Sequence, residues 1–458
     1  MEFKILKIIA TFMNGEEVNI DFDDSNANKT CYHTLFIGPN GVGKSSLLRD
    51  IIDIFIEAQS WPNPIRPRKN AVHIKVLEYQ IDNTRYILER SSIVCHIYKN
   101  GLPVKHEEMQ FPMIIASSMG LFDKFPVYRQ RIQSSSSRYN NGNYCYVGPK
   151  ASSNMFMSKM NIFLRSLSRI NSSISPKKAK DIENAFKHIG YLPELSFELS
   201  VKKYSASKFN NINSSYYEHL TNNYVKDSNR EPIYIDFNLS ANKLDDFDSY
   251  NLYTLYAYRQ EGVYSRLKCK IKTRGGTYVD FDDISSGEFN LLLLMLDIIL
   301  YGDNKNLLVL LDEPEISQHP NWQIELVSML DEALEGYSSH LLVATHSHFL
   351  VSNLPLGRSN VINLDKDALD KVVVSYIQSE TYGWSSEEVL LKVFKMSTDR
   401  SRYLAEMISN LLENIDNRAI SDSKLKKDLA FLQEVSKYLS DVDPMKRVIK
   451  TIVTELSM

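Results

Sequence analysis

Gly38-Pro39-Asn40-Gly41-Val42-Gly43-Lys44-Ser45 decides how the rest of the chain is read. It fits G-x-x-x-x-G-K-[ST], the glycine-rich loop whose backbone N–H groups cradle a polyphosphate. The apolar run Thr34–Ile37 leads in as a buried strand, and Ser46–Ile52 continues as a helix. That strand–loop–helix order aims orphan amides and the positive end of a helix dipole at one anion. Lys44 then reaches the β- and γ-phosphates, and Ser45 ligates Mg2+. The expected nucleotide contacts are Gly38, Pro39, Asn40, Gly41, Val42, Gly43, Lys44, Ser45 and Ser46. A plain glycine turn before a core helix would not ask for Lys-Ser at the helix start.

A second cluster of signals lies at 284–351. Leu307–Leu311 is an apolar strand that delivers Asp312 and Glu313, followed by Pro314. Successive strand residues face opposite sides, so Glu313 must sit where the chain turns, and Pro314 supplies the break. Asp312 is expected in the Mg2+ shell, with Glu313 polarising the attacking water. Ile284-Ser285-Ser286-Gly287-Glu288 precedes an apolar helix over Phe289–Leu300. Ser285 and Glu288 have the spacing of a capping box. The same helix start can offer Ser285, Ser286, Gly287 and Glu288 amides to a γ-phosphate, since capping and anion binding use the same orphan N–H groups. Leu341–Ala344 then runs into Thr345-His346-Ser347, one helix and one strand after Asp312. This puts His346 on a neighbouring strand end.

The whole chain sets the bounds. Its 458 residues suggest two or three structural units. With 43% hydrophobic residues, 24% charged residues and a net charge of −3, it carries no global basic field. Cys31, Cys95, Cys145 and Cys269 are far apart and read as reduced thiols of a cytoplasmic protein. Met1–Lys7 does not read as a signal peptide. Leu291–Leu300 is too short to span a membrane and contains Asp297, so it reads as a buried helix, and no membrane contact is expected.

Along the chain, alternation predicts antiparallel strands at Val72–Leu77, Arg85–Glu89 and Ile93–Tyr98, with a turn at Asn100-Gly101. Met113–Ser117 reads as a core strand. Prolines 62, 64 and 67, the Ser/Asn-rich stretch 131–143 and the polar stretch 205–232 read as irregular. Helical patterns cover 154–189 and 245–259, Arg274-Gly-Gly276 reads as a hairpin turn, and the chain is helical from about 385 onward. The expected division is 1–150 and 261–380 as two parts of one ATPase domain, 151–260 as an inserted, mainly helical lobe, and 381–458 as a helical partner-binding region. Arg165, Arg169, Lys177, Lys178, Lys180, Lys202 and Lys203 form a basic run. It reads either as a solvated face or as a surface for nucleic acid.

Taken in order, Gly38–Ser45, Ile284–Glu288, Leu307–Glu313 and His346 resemble the Walker A, signature, Walker B and switch-histidine motifs of the ATP-binding cassette (ABC) superfamily. Ser286 stands where the family's signature has its first glycine, and Glu288 where it has glutamine. The family's Q-loop glutamine has no clear counterpart; Ser117 or Ser118 is the nearest in place. The resemblance implies an α/β P-loop NTPase of ABC-ATPase type: a mixed central sheet, an antiparallel β subdomain, an inserted helical lobe and a C-terminal helical region. It also implies ATP and Mg2+ as cofactors. ATP would be sandwiched in a head-to-tail dimer between Lys44 of one copy and Ser285 and Gly287 of the other.

The Asp312-Glu-Pro-Glu315-x-x-x-His319-Pro320 ending is similar to the RecF-, OLD- and SMC-related soluble branch, in which the segment near His319 meets the dimer partner. The long interval between Lys44 and Ser285 contains no heptads, so it reads as a compact lobe rather than a coiled-coil arm. The stretch after His346 has no strand leading into an acidic nuclease cluster.

Three phrases, Ala116–Pro126, Tyr146–Pro149 and Glu380–Ser385 with Val389–Phe394, resemble the ATPase subunit of Septu-type bacterial defence systems, including retron-associated ones. That resemblance implies a homodimer or higher homo-oligomer acting with a separate HNH nuclease, and nucleic acid reached through that complex. Two other readings stay open from the sequence: a RecF/SMC-like DNA-repair ATPase acting directly on DNA, and an ATP-binding scaffold with negligible hydrolysis.

Overall fold

In this computed structural model the described residues are 2–456 except 13–14, 23–29, 61–70, 92–94, 119, 121–122, 128–142, 153–154, 171–173, 202–231, 240–245, 261, 263, 302–305, 317, 378–379, 395–406, 412, 414–421 and 439–443. Prolines 62, 64 and 67, residues 131–142 of the Ser/Asn-rich stretch, nearly all of 205–232, and Lys202 and Lys203 therefore lie outside them. The chain divides into two compact units, Met1–Ser386 and Glu387–Met458.

The central sheet of the first unit joins β3 (Cys31–Ile37), β8 (Met113–Ser118), β9 (Tyr144–Val147), β16 (Asn306–Asp312), β17 (Ser338–Ala344), β18 (Ser359–Lys366) and β19 (Val372–Ile377). Their order is β19-β18-β3-β17-β16-β8-β9, parallel throughout except β19. Every residue of β3, β8, β9 and β17 is buried. Runs such as Leu307–Leu311 are continuous because both faces of a parallel sheet are covered.

A second, antiparallel sheet is built from β1 (Phe3–Thr11), β2 (Glu17–Asp21), β4 (His73–Ile81), β5 (Thr84–Arg90), β6 (Cys95–Lys99) and β7 (Leu102–Pro103), in the order β2-β1-β4-β5-β6-β7. Asn100 and Gly101 both take positive φ, 50° and 81°, as a tight hairpin turn requires. The helix α1 (Lys44–Gln59) touches strands of both sheets and is buried on most of its surface, so Leu47, Leu48, Ile51, Ile52, Ile54 and Phe55 share one core with them.

Polar pins hold these layers in register. Arg90, from β5, donates to Asp50 (2.7 Å) and Glu57 (2.7 Å) of α1 and to the Ile74 carbonyl (3.1 Å). Asp50 also accepts the Ile74 amide at 2.6 Å. Buried His340 accepts the Ile5 amide on Nδ1 (3.1 Å), so its Nε2–H faces Thr34 Oγ1 (3.0 Å), tying β1 to β17 and β3. Burial keeps this imidazole neutral, well below its usual pKa.

The inserted segment departs from the mainly helical lobe that its pattern predicts. The helices α2 (Lys159–Leu167), α3 (Pro176–His188) and α4 (Asp246–Gln260) do form. Pro176 opens α3, with Ser175 accepting the Lys178 amide as its cap. Ahead of them, β10 (Lys150–Ser152) and β11 (Met155–Phe156) make a short antiparallel pair. Then β12 (Tyr191–Val201) and β13 (Ile233–Asn238) join β14 (Tyr264–Thr273) and β15 (Tyr278–Asp280) in an antiparallel sheet, order β13-β12-β14-β15. The lobe is therefore mixed. The signal was present: Leu195, Phe197 and Leu199 are buried, while Glu194, Ser196 and Glu198 between them are half-buried.

The apolar stretch 291–300 lies in α5 (Ser286–Tyr301), and Asp297 within it is fully buried. It is satisfied by Ser166 Oγ (3.0 Å) and by an ion pair with Arg169. Arg165 donates to the Tyr146 and Gly148 carbonyls, and Lys177 to that of Glu335. These three members of the basic run thus serve internal contacts. The helices α6 (Pro320–Ala333) and α7 (His348–Ser352) complete the first unit.

The second unit contains α8 (Ser386–Lys392), α9 (Asp422–Tyr438) and α10 (Pro444–Leu456). Its own core gathers Ile408, Leu411, Leu429, Leu432, Ile449 and Ile452. Leu429 and Leu432 come from α9, and Ile449 and Ile452 from α10. Among the described residues no helix is long and apolar enough to cross a membrane.

The buried pins set measurable stability effects. Arg90→Met leaves buried Asp50 and partly buried Glu57 without this cation and should cost about 3–5 kcal/mol, read from the urea unfolding midpoint. His33, fully buried in β3, meets Asp331 of α6 at 2.9 Å. Burial alone would lower its pKa, but hydrogen bonds and charge from Asp331 and Cys31 outweigh that and raise it to about 9. The stabilisation is complete below the ordinary value of 6.5 and is lost as pH rises through about 9. The unfolding midpoint should fall over that window, and His33→Gln should flatten the slope.

Candidate functional site

Parallel register gathers the site. Phe36, Ala344, Asp312 and Ser118 are mutual partners across β3, β17, β16 and β8. The residues just beyond this row are those the sequence singled out: the loop after Ile37, Glu313, and Thr345-His346. The ladder runs one step further, with the Glu313 amide donating to the Ala344 carbonyl (2.8 Å) and that of Thr345 to Phe36 (3.1 Å).

The loop is sterically committed to glycine at its ends. Gly38 has φ 135°, and a Cβ there would lie 1.9 Å from the Leu364 carbonyl oxygen. Gly43 has φ 114°, and its Cβ would press on Phe12 and Val72 at 3.0–3.1 Å. Lys44 curls back under the loop. Its Nζ donates to the carbonyls of Gly38 (2.8 Å) and Pro39 (3.2 Å) and to His346 Nε2 (2.9 Å). His346 must therefore be neutral, with its proton on Nδ1. Its pKa is lowered by burial and by the Lys44 charge. Burial likewise pulls Lys44 down to about 8, against the pull of Glu313, Asp312 and Glu315.

Glu313 takes φ 49°, the left-handed turn that lets two adjacent carboxylates serve one edge. Its Oε1 lies 3.7 Å from His346 Nε2. Asp312 is 6% exposed; burial raises its pKa to about 6, with a hydrogen bond from Ser45 opposing. Its Oδ1 is buried without a hydrogen-bond partner among the described residues. A carboxylate oxygen left over beside a serine hydroxyl is the donor set a hard divalent cation takes, so Ser45 and Asp312 fit Mg2+.

A cavity of about 390 Å³ opens over these groups, within the range of small-molecule sites. Asn40 to Ser46, Glu313 and His346 line it, together with residues that sequence reasoning did not find: Phe12, Val72, Lys124, Lys366 and Asp370. Nothing local marks these positions, because loops from four different segments bring them together. Sequence reasoning also missed the role of Glu315: its Oε1 accepts the His346 amide at 2.6 Å and so orients the switch histidine.

The signature residues do not line this cavity. Ser285, Ser286, Gly287 and Glu288 start α5, where the expected capping box is complete: Ser285 N–H donates to Glu288 Oε2 (2.8 Å) and Glu288 N–H to Ser285 Oγ (3.2 Å). Ser285 and Ser286 remain exposed. His319 caps α6, accepting the Asn321 amide at 3.3 Å. Ser117 and Ser118 are buried strand residues of β8.

Known proteins with related sequences or folds bear on identity. A family model described as an AAA ATPase domain matches residues 150–351. The mixed sheet, with its glycine loop between β3 and α1, fits a P-loop ATPase. The Septu protein PtuA of Bacillus thuringiensis is 25% identical over 154 residues, 32% of this chain. The match takes in 36% of that relative's length. Among solved structures, the SMC head domain from Thermotoga maritima aligns over 83% of the chain and all of its own, at 13% identity and a TM-score of 0.40. An SmcHead bound to the C-winged helix domain of ScpA aligns over 82% of the chain and 98% of its own, at 13% identity and 0.38. The chain thus resembles PtuA in part of its length.

The Lys44 environment gives a pH prediction. An anionic nucleotide favours the charged ammonium, whose pKa in the free protein is about 8. Nucleotide affinity should fall as pH rises through that value, and binding near pH 8 should take up a proton. Calorimetry in buffers of different ionisation heat checks this; proton release at pH 8 would contradict it.

Proposed function

We propose that the chain is an ATPase that closes a head-to-tail dimer around ATP and acts as the regulatory subunit of a defence complex, controlling a separate HNH nuclease. The observation that supports this best is the split between the two halves of the machinery. Lys44, Ser45, Asp312, Glu313 and His346 share one sheet edge, while Ser285 and Ser286 stand exposed on a helix start outside that cavity. A second copy would bring its helix N-terminus, rich in orphan amides, to the γ-phosphate.

Each residue then has a role in in-line attack of water on the γ-phosphate, which depends on positioning and charge. Mg2+ held by Ser45 and Asp312 would neutralise phosphate charge. Lys44 exchanges its bond to His346 for the phosphate. His346, held by Glu315, turns from the lysine to the γ-phosphate. Glu313 accepts a proton from the attacking water. Phe12 and Val72 offer an apolar wall to the nucleotide.

The nuclease partner rests on the Septu resemblance, and the second, helical unit is the natural place for partner contacts. Nucleic acid would be met through the complex. The four free thiols suit a cytoplasmic setting.

Glu313→Gln should keep ATP affinity within about threefold, lose turnover, and accumulate as an ATP-bound dimer in sedimentation. Lys44→Ala should lose ATP binding. Wild-type turnover no faster than that of Glu313→Gln would favour an ATP-gated scaffold instead.

A further inference from the structure

The loop after β8 carries a cation that the motifs do not account for. Asp123 is buried, its Oδ1 accepting the Phe125 amide at 2.7 Å and its Oδ2 the Tyr146 hydroxyl. Lys150 donates to the Asp123 carbonyl. Phe125 is buried, and Tyr144 donates to the Pro126 carbonyl at 2.7 Å. The residues on both sides of Lys124 are thus pinned inward by β9 and Lys150. Lys124 itself is turned out into the nucleotide cavity, where its Nζ donates to Ser46 Oγ at 3.0 Å. Among the described residues its one hydrogen bond is to this neutral hydroxyl and it makes no direct ion pair, although its charge is felt by Asp312.

An ammonium has three donors and no lone pair. It cannot ligate a metal and would repel one. The chemistry that matches a fixed cation beside the P-loop serine pair is a phosphate oxygen, which lysine binds as a point charge. We infer that Lys124 is a second phosphate-binding cation of this site, which leaves Ser46 for a nucleotide phosphate and supplies part of the charge neutralisation otherwise left to the metal. This rests on the nucleotide-site reading above. It makes the segment after β8 a charge donor to the nucleotide.

The test is titration of a fluorescent ATP analogue into wild type, Lys124→Gln, Lys124→Arg and Lys44→Ala, each with Mg2+ and with EDTA, folding being checked by circular dichroism. In EDTA, Lys124→Gln should bind about tenfold or more weakly than wild type, the scale of one charge-assisted hydrogen bond, with Lys124→Arg within about threefold of wild type. A Lys124→Gln protein that binds like wild type in EDTA overturns the inference, whatever it does with Mg2+. In that case, loss of binding in Lys44→Ala leaves the nucleotide site standing. Unchanged binding in Lys44→Ala would sink the site and the inference together.

Discussion

The parallel register of β3, β17, β16 and β8 is the constraint on which the rest depends. Because Phe36, Ala344, Asp312 and Ser118 fall in one row, four loops leave the sheet at one level. A slip of one residue in β16 would turn Asp312 to the other face. The buried runs that set this register are too apolar to face water on either side, and α1 covers one of those faces. Arg90 and His340 then fix the antiparallel sheet to α1, β17 and β3. Core packing and buried polar pins together determine where one ammonium, two carboxylates and an imidazole meet.

Those four groups are held in a state suited to an incoming anion. Lys44 rests on two carbonyls and a neutral imidazole, all weak substitutes for phosphate. Among the described residues, Asp312 keeps an oxygen without a hydrogen-bond partner beside Ser45. Both features carry an energetic cost in the free protein that a Mg2+-nucleotide would relieve. In the proposed function, that relief is the driving force by which nucleotide reorganises the edge and recruits a second copy.

Much of this was legible in the sequence, because the chemistry imposes local patterns. A P-loop needs glycines at fixed steps, and Gly38 and Gly43 have positive φ against close neighbours. The Asp312-Glu313-Pro314 step needed a turn, and Glu313 takes left-handed φ. The capping box at Ser285 and Glu288 formed as its spacing requires. What stayed hidden depends on contacts distant in sequence. Glu315 gains its role only when β16 lies beside β17. Lys124 is invisible until Asp123 meets Tyr146, joining two of the phrases that resemble Septu ATPases. In the lobe, β12 had a clear period of two, but the helical patterns on either side masked it.

The central claim is that one ATP is shared by two copies of the chain. Ser286→Glu places an acid at a helix N-terminus, where folding tolerates it, but where it would repel a partner's γ-phosphate. Lys44→Ala disables the other half of the site. Steady-state ATP hydrolysis by each variant alone and by their equimolar mixture measures the sharing directly. A shared site predicts that neither variant turns over ATP alone and that the mixture recovers about a quarter of the wild-type rate, since half the dimers carry one intact composite site. Full activity of Ser286→Glu alone, or no recovery on mixing, would contradict it.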